Sequence, residues 1–281
     1  MSRNARAQAF VTVPTTDRKG PYSPATGKIA RRSIRRAHHN EEIPELAHAF
    51  EPKNLFLKAL SAPELARLRP HLVFHRLPQG LVLHESGAKV EHVHFIDSGM
   101  ISLVATMQDG AQIETATLGR ESMMGSLTAL GEHRAGTRAI VQIDATSWRM
   151  AASDFRVAVE ENAGLRQMAL MSNELTLAQM QQTAACNALH TADRRLCRWI
   201  VQVRDRIDDD VIRLTHDFLA QMLAVRRPTV SLIAYGLQQA GLIRYQRGKI
   251  TILDRAGLER GACECVGALR EKTQKIIDDI R

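Results

Sequence analysis

A chain of 281 residues with 44% apolar and only 4% aromatic residues can bury a real, mainly aliphatic core, as one large domain or two modest ones. Its formal net charge of +8 sits wholly in residues 1–40, where nine basic residues face one acidic residue, so the remainder sums to zero and bulk charge alone argues for no polyanionic partner. No apolar run approaches the roughly 20 residues that span a bilayer, and no apolar signal segment opens the chain, so a cytoplasmic protein with no membrane partner is expected.

Residues 1–50 read as a basic tail. Gly20-Pro21 and Ser23-Pro24 break it and large apolar residues are few, which predicts a solvated, disordered segment. Such a tail can add sequence-independent attraction to phosphates. The globular pattern starts near residue 50. Asn54–Arg69, NLFLKALSAPELARLR, predicts two short helices, the second capped by Ser61 with Pro63 in its first turn and Glu64 three residues on.

Residues 51–152 are assigned to a β domain. Seven runs rich in branched apolar residues, LVFHR, LVLH, HVHFI, MISLVA, QIETAT, RAIVQI and SWRM, recur between turn signals. Those signals are Pro78-Gln79-Gly80, Ser86-Gly87, Asp97-Ser98-Gly99, Asp109-Gly110 and Gly119. Short strands at such spacing predict a small antiparallel sandwich or roll, with a hairpin at Asp109-Gly110. His92 and His94 share a strand face, with His84 near in sequence; packed or surface histidines are the commoner outcome, and no metal site is expected.

Residues 153–190 predict one long helix. Met168, Met171, Leu175, Ala178 and Gln182 form a heptad-like stripe, longer than a small roll needs, and a second copy of the chain is the expected partner for it. Residues 192–207 predict a shorter amphipathic helix.

Residues 191–262 carry the strongest functional signal. Thr215 is a good N-cap with Asp217 in the first turn, and Ala220 leaves room for a close helix. After a break at Ala224-Val225-Arg226, a second helix starts near Arg227 with Pro228 in its first turn, buries Val230, Ile233, Ala234 and Leu237, and stops at Gly241. Two short helices with a tight turn make a helix-turn-helix, whose second helix enters the major groove of DNA. Arg226, Arg227, Thr229 and Ser231 are then its reading residues, with Thr215 and Tyr235 near the phosphates. Two strands around Arg247-Gly248-Lys249 predict a wing with Arg247 and Lys249 at its tip. Residues 213–260 hold eight basic and three acidic residues, a local excess where a DNA surface needs it. Residues 263–281 read as a C-terminal helix or tail.

Cys186, Cys197, Cys263 and Cys265 lack CxxC spacing and read as free thiols, with Cys263-x-Cys265 incidental. Gly-x-Ser-x-Gly, GxxxxGK[ST], HExxH and GxGxxG are absent, so no enzyme activity is expected.

The order of parts resembles the Crp/Fnr family of bacterial transcription regulators, over about residues 52–262. The resemblance is carried by HFIDSGMISLV, DGAQIETATLGRESMMG and, most specifically, LTHDFLAQMLAVRRPTVSLIAYGLQQAGLI. It implies an α+β protein: an antiparallel, jelly-roll-like β-roll of the cyclic-nucleotide-binding type, a long dimerisation helix and a C-terminal winged helix-turn-helix. It implies a homodimer on a near-palindromic site in double-stranded DNA, with RNA polymerase as a further candidate partner. Arg227 falls where the family commonly places a base-reading arginine. Pro228 and Leu232 depart from the cyclic-AMP-responsive members, which carry glutamate and arginine there, so their DNA preference is not carried over. The effector pocket implied by the resemblance comprises Gly119, Glu121, Ser122, Gly125, Thr137 and Arg138. Its basic and hydroxyl residues stand in reversed order, which disfavours a cyclic nucleotide. No cofactor is expected. A roll without a sensing role and a cyclic-nucleotide-responsive roll are the alternatives.

Overall fold

The computed structural model describes residues 50–127, 131 and 134–280, so the basic tail lies outside the described residues. Asn54 caps α1 (Leu55–Ala59), its Oδ1 accepting from the backbone N–H groups of Phe56 and Leu57. Its Nδ2 donates to the carbonyls of Ile96 and Ser122, 3.0 and 2.9 Å away, which ties the helix to the sheet. Ser61 and Glu64 form the expected capping box on α2 (Ala62–Leu68).

The β domain follows as β1 (Val73–Leu77), β2 (Val82–His84), β3 (His92–Thr106), β4 (Gln112–Leu118), β5 (Met123–Met124) and β6 (Arg138–Ala151). They form one antiparallel sheet in the order β1-β6-β3-β4, with β2 also on β6 and β5 on β3. The hairpin turns at Asp109-Gly110 as expected, with Met107 N–H donating to Ala111 O at 2.8 Å. Asp97-Ser98-Gly99 is different. It is no turn; β3 runs through it and slips register against β6. Gly99 has φ +83, and a Cβ there would lie 2.3 Å from Asp144 O. The triplet therefore bends the strand while keeping it paired. Asp97 is buried there and accepts from Lys53 N, Asn54 N and Trp148 Nε1 at 3.0, 2.9 and 3.0 Å.

The expected single helix over 153–190 is two. α3 (Ala152–Glu161) ends at Asn162, whose side chain accepts from Leu165 N at 3.0 Å and starts α4 (Ala163–Leu189). The stripe assigned to a second copy also needs correction. Met168 and Leu175 are buried in the same core as Phe56, Phe95 and Trp148, and Met171 packs against it. Ala178 and Gln182 face the C-terminal helix α9, introduced below, with Gln182 Nε2 donating to Cys265 Sγ at 3.0 Å. The heptad spacing marked a buried stripe correctly, but its cover belongs to the same chain. The open face of α4 instead carries Leu170 and Leu177, 43% and 55% exposed and seven residues apart, flanked by exposed Ala163 and Ala184.

α5 (Ala192–Arg206) leads into β7 (Val211–Arg213), α6 (His216–Met222), α7 (Arg227–Gln239), β8 (Ile243–Gln246), β9 (Lys249–Ile252), α8 (Arg255–Gly261) and α9 (Cys265–Ile280). The wing has three strands in the order β7-β9-β8, one more than the sequence suggests. The core of this C-terminal part, built around Trp199, Ile200, Leu219 and Val230, takes in Met100 and Ile143 from the roll. Roll and reading unit thus share apolar packing, which resists independent motion. Among the described residues no helix is long and apolar enough to cross a membrane.

Candidate nucleic-acid interface

Thr215 caps α6, its Oγ1 accepting from Phe218 N at 3.3 Å. Its hydroxyl oxygen thus serves the cap, and the residue is exposed. The chain reverses through Ala224 at φ 49 and enters α7 after Arg226. Val230 and Ala234 are buried, with Ile233 and Leu237 packed against the same core, as the periodicity requires. The opposite face exposes Arg226, Arg227, Pro228, Thr229, Leu232 and Tyr235. Leu232 is 72% and Tyr235 59% exposed, an apolar pair on an otherwise polar reading surface. Such a leucine suits contact with a thymine methyl group. Sequence reasoning treated Leu232 only as a departure; its position three residues after Thr229 on the helix was the available signal.

Ser231 is corrected. It is half-buried, with its Oγ 3.0 Å from His216 Nδ1 and donating to Arg227 O at 3.2 Å. It fastens α7 to α6 rather than facing outward. The rest of the frame is similarly locked. The His216 and Tyr245 rings stack at 4.3 Å, and Tyr245 donates its hydroxyl to Leu214 O at 3.0 Å. The wing turns tightly with positive φ at both Arg247 and Gly248, 48° and 73°, the geometry of a two-residue hairpin turn. Arg247 and Lys249 are exposed at its tip.

The effector-loop candidates do not assemble one pocket. Gly119 closes on Arg206 from α5, and a Cβ there would sit 2.4 Å from Arg206 Cδ. Arg206 pairs with Glu121, with Nε 3.0 Å from Oε1. Ser122 is buried, and Gly125 packs its backbone on His92 O. Glu121 and Ser122 line a cleft with Leu175, Gln179, Arg206 and Lys272. Arg138 lies elsewhere. It pairs with Glu85 at 3.3 Å, beside Thr137, and lines a second cleft with Ser102, Glu114 and Phe218. Arg138, the basic group that the resemblance assigns to the pocket, is thus not in the loop's cleft, which holds Arg206 and Lys272 instead.

In that second cleft Glu114 is fully buried, and burial pushes its carboxyl up to about 8, against the pull of Ser102, Arg198 and Arg206. Ser102 Oγ lies 2.6 Å from Glu114 Oε2 and also contacts Gln142 Oε1, and the Gln142 amide contacts Met222 Sδ on α6. A serine has one hydrogen for two acceptors, so a protonated Glu114, donating to Ser102 Oγ, closes the chain. Of the roll histidines, His94 is buried. His94 bonds Ser147 Oγ at 3.1 Å, and burial together with Arg149 pushes its pKa down to about 3.

The fold and the exposed α7 face define a winged helix-turn-helix reading unit joined to a roll of the sensor type. Sequence comparison agrees: the cyclic nucleotide-binding domain family matches residues 74–162 and the Crp-like helix-turn-helix domain family residues 194–261, together more than half the chain. The chain belongs to the Crp/Fnr family of transcription regulators. Comparison with curated proteins finds no match. Among solved structures, FixK2 from Bradyrhizobium japonicum is 14% identical with a TM-score of 0.58, covering 68% of this chain and 98% of its own. A Crp-family transcriptional regulator from Thermus thermophilus is 17% identical, TM-score 0.56, covering 67% and 96%. The c-di-GMP-responsive global regulator CLP of Xanthomonas campestris is 14% identical, TM-score 0.56, covering 69% and 100%. At these identities the likeness is one of fold.

Proposed function

We propose that this regulator binds a near-palindromic operator in double-stranded DNA as a homodimer, with two α7 helices in successive major grooves about one helical turn apart. The observation that carries this reading is the exposed row Arg226, Arg227, Thr229, Leu232 and Tyr235 on a helix whose other face is fixed by Ser231, His216 and the wing. Arg227 supplies base readout, while Arg247, Lys249 and the α7 N-terminus set register on phosphates. The open row of α4 with Leu170 and Leu177 supports pairing of two copies. The role needs no catalytic step.

The Arg206–Glu121 pair and the Gln142–Met222 contact support a second element of the reading: the roll holds the reading unit in one arrangement. A ligand moves the unit only if it binds the held and released arrangements unequally. Selection of bound fragments from random DNA by the purified, ligand-free protein at physiological salt tests the proposal. Enrichment of one palindromic site shows that the held arrangement reads DNA and makes the roll a scaffold or a site of negative control. Sequence-independent, salt-sensitive binding alone in the ligand-free protein, unchanged across a ligand screen, would sink the operator-binding reading.

A further inference from the structure

Cys186 and His190 stand one helical turn apart at the C-terminal end of α4, while Cys263 lies in the link between α8 and α9 and Cys265 opens α9, with Glu264 between them. The fold brings these distant segments together. Cys186 Sγ lies 3.5 Å from Cys263 Sγ, and Cys265 Sγ lies 3.5 Å from His190 Nδ1. All four donor atoms fall within 4.8 Å of one another. The three cysteines are buried and form a small cluster of their own.

We propose that Cys186, His190, Cys263 and Cys265 bind a single tetrahedral divalent cation, with Zn²⁺ the best match. Three sulfurs and one imidazole nitrogen are a recognised structural zinc set. Zinc–sulfur bonds of about 2.3 Å and zinc–nitrogen bonds of about 2.0–2.1 Å place tetrahedral ligands roughly 3.5–3.8 Å apart. The two 3.5 Å separations match that spacing before any ion draws the groups together. An iron–sulfur cluster spreads its cysteines over several irons and suits a wider set.

The surroundings fit the same chemistry. His190 Nε2 lies 3.0 Å from Glu264 Oε1, so the carboxylate holds the hydrogen on Nε2 and turns Nδ1, as a lone-pair donor, toward the sulfurs. Gln182 Nε2 donates to Cys265 Sγ at 3.0 Å, a bond that a thiolate accepts better than a thiol. Three thiolates on a dication leave one negative charge, and the buried Arg195 and Arg198 lie within electrostatic reach of Cys186 to offset it. Cys197 is buried as well, yet stands outside the group. His190 is the C-cap of α4 and the next residue, Thr191, starts α5, so a bound cation would pin that joint to the α8–α9 link.

The test uses the full chain purified under reducing conditions without chelator. Elemental analysis should find about one zinc per chain, and cobalt exchange should give the visible bands and near-ultraviolet thiolate charge transfer of a tetrahedral cobalt–thiolate site. Cys265→Ser and His190→Ala should abolish stoichiometric zinc, while Cys197→Ser keeps it. Glu264→Gln, at an exposed position, should keep the fold and weaken zinc 10–100-fold in chelator competition, which guards against misfolding of the ligand variants. Four titratable thiols with no bound metal, zinc retained in Cys265→Ser, iron with acid-labile sulfide, or a Cys186–Cys263 disulfide in the native protein would each overturn the assignment.

Discussion

Arg206 places its Nε 3.0 Å from Oε1 of Glu121, joining the last residue of α5 to the loop after β4. The same guanidinium donates to Thr117 Oγ1 and Thr117 O at 2.6 and 3.1 Å. Both members of the pair are mostly buried, with side chains 9% and 15% exposed. One arginine thus satisfies three acceptors of the roll from within the reading unit. Gly119 leaves the space its methylenes fill.

Removing Arg206 leaves the mostly buried Glu121 carboxylate without its donor, while Thr117 Oγ1 keeps the one from Gln179 Nε2 at 2.7 Å. Arg206→Ala is expected to lower stability by about 3–5 kcal/mol. Urea denaturation followed by tryptophan fluorescence measures this. Arg206→Lys should recover only part, because an ammonium lacks the planar fork that reaches Glu121 and both Thr117 oxygens. Full recovery by lysine would show that charge alone holds the joint.

Glu114 predicts a pH dependence. Its carboxyl sits at about 8 in the fold, against an ordinary value of 4.5. The native chain therefore binds more protons than the unfolded chain between those values, and stability falls as pH rises through that window. Above about 8 both states are ionised and this contribution levels off. The loss across the window is on the order of a few kcal/mol. Glu114→Gln keeps a donor to Ser102 and cannot ionise, so it should flatten the profile and raise stability at pH 8. Equal slopes for the two proteins in denaturation at pH 5 to 8 would assign the pH dependence elsewhere.

Local signals in the sequence were legible where one residue type satisfies one backbone need. Ser61 with Glu64, Asp109-Gly110, Thr215 and the Arg226-Arg227-Pro228 start all stand where their chemistry implied. Asp97-Ser98-Gly99 misled because a turn and a bulge both demand a glycine at positive φ, and only the pairing of β3 with β6 tells them apart. The α4 stripe misled because periodicity reports burial without naming the cover. Arg206–Glu121 and Cys186–Cys263, 85 and 77 residues apart, follow from tertiary docking alone. The i, i+4 spacing of Cys186 and His190 and the Cys263-x-Cys265 pair, read as incidental, were the visible hints of their cluster.

Arg227 and Lys249 should separate base reading from phosphate attraction. Arg227→Ala is expected to cost about 1–3 kcal/mol on the selected operator and to relax preference at one base pair. Lys249→Ala should weaken all sequences alike and reduce the salt slope by about 1. Fluorescence anisotropy on the operator and on single-base variants over a salt series reads both effects. A uniform loss for Arg227→Ala would move it to the phosphates.

The two leucines at 175 and 177 of α4 distinguish the two uses of that helix. Leu175 is 8% exposed in the core shared with the roll, and Leu177 is 55% exposed on the opposite side. If two copies pair through the open row, Leu177→Glu places a carboxylate in an apolar seam beside its symmetry mate. It should dissociate the dimer in sedimentation velocity while leaving the unfolding transition of the monomer near that of the parent. Leu175→Ala should do the reverse. It leaves a cavity and is expected to cost about 2–5 kcal/mol of folding stability, with the association state kept wherever the chain remains folded. Operator binding should follow the first variant more than the second, since one reading head alone grips half the site. Dimers that survive Leu177→Glu unchanged would place the interface on another surface.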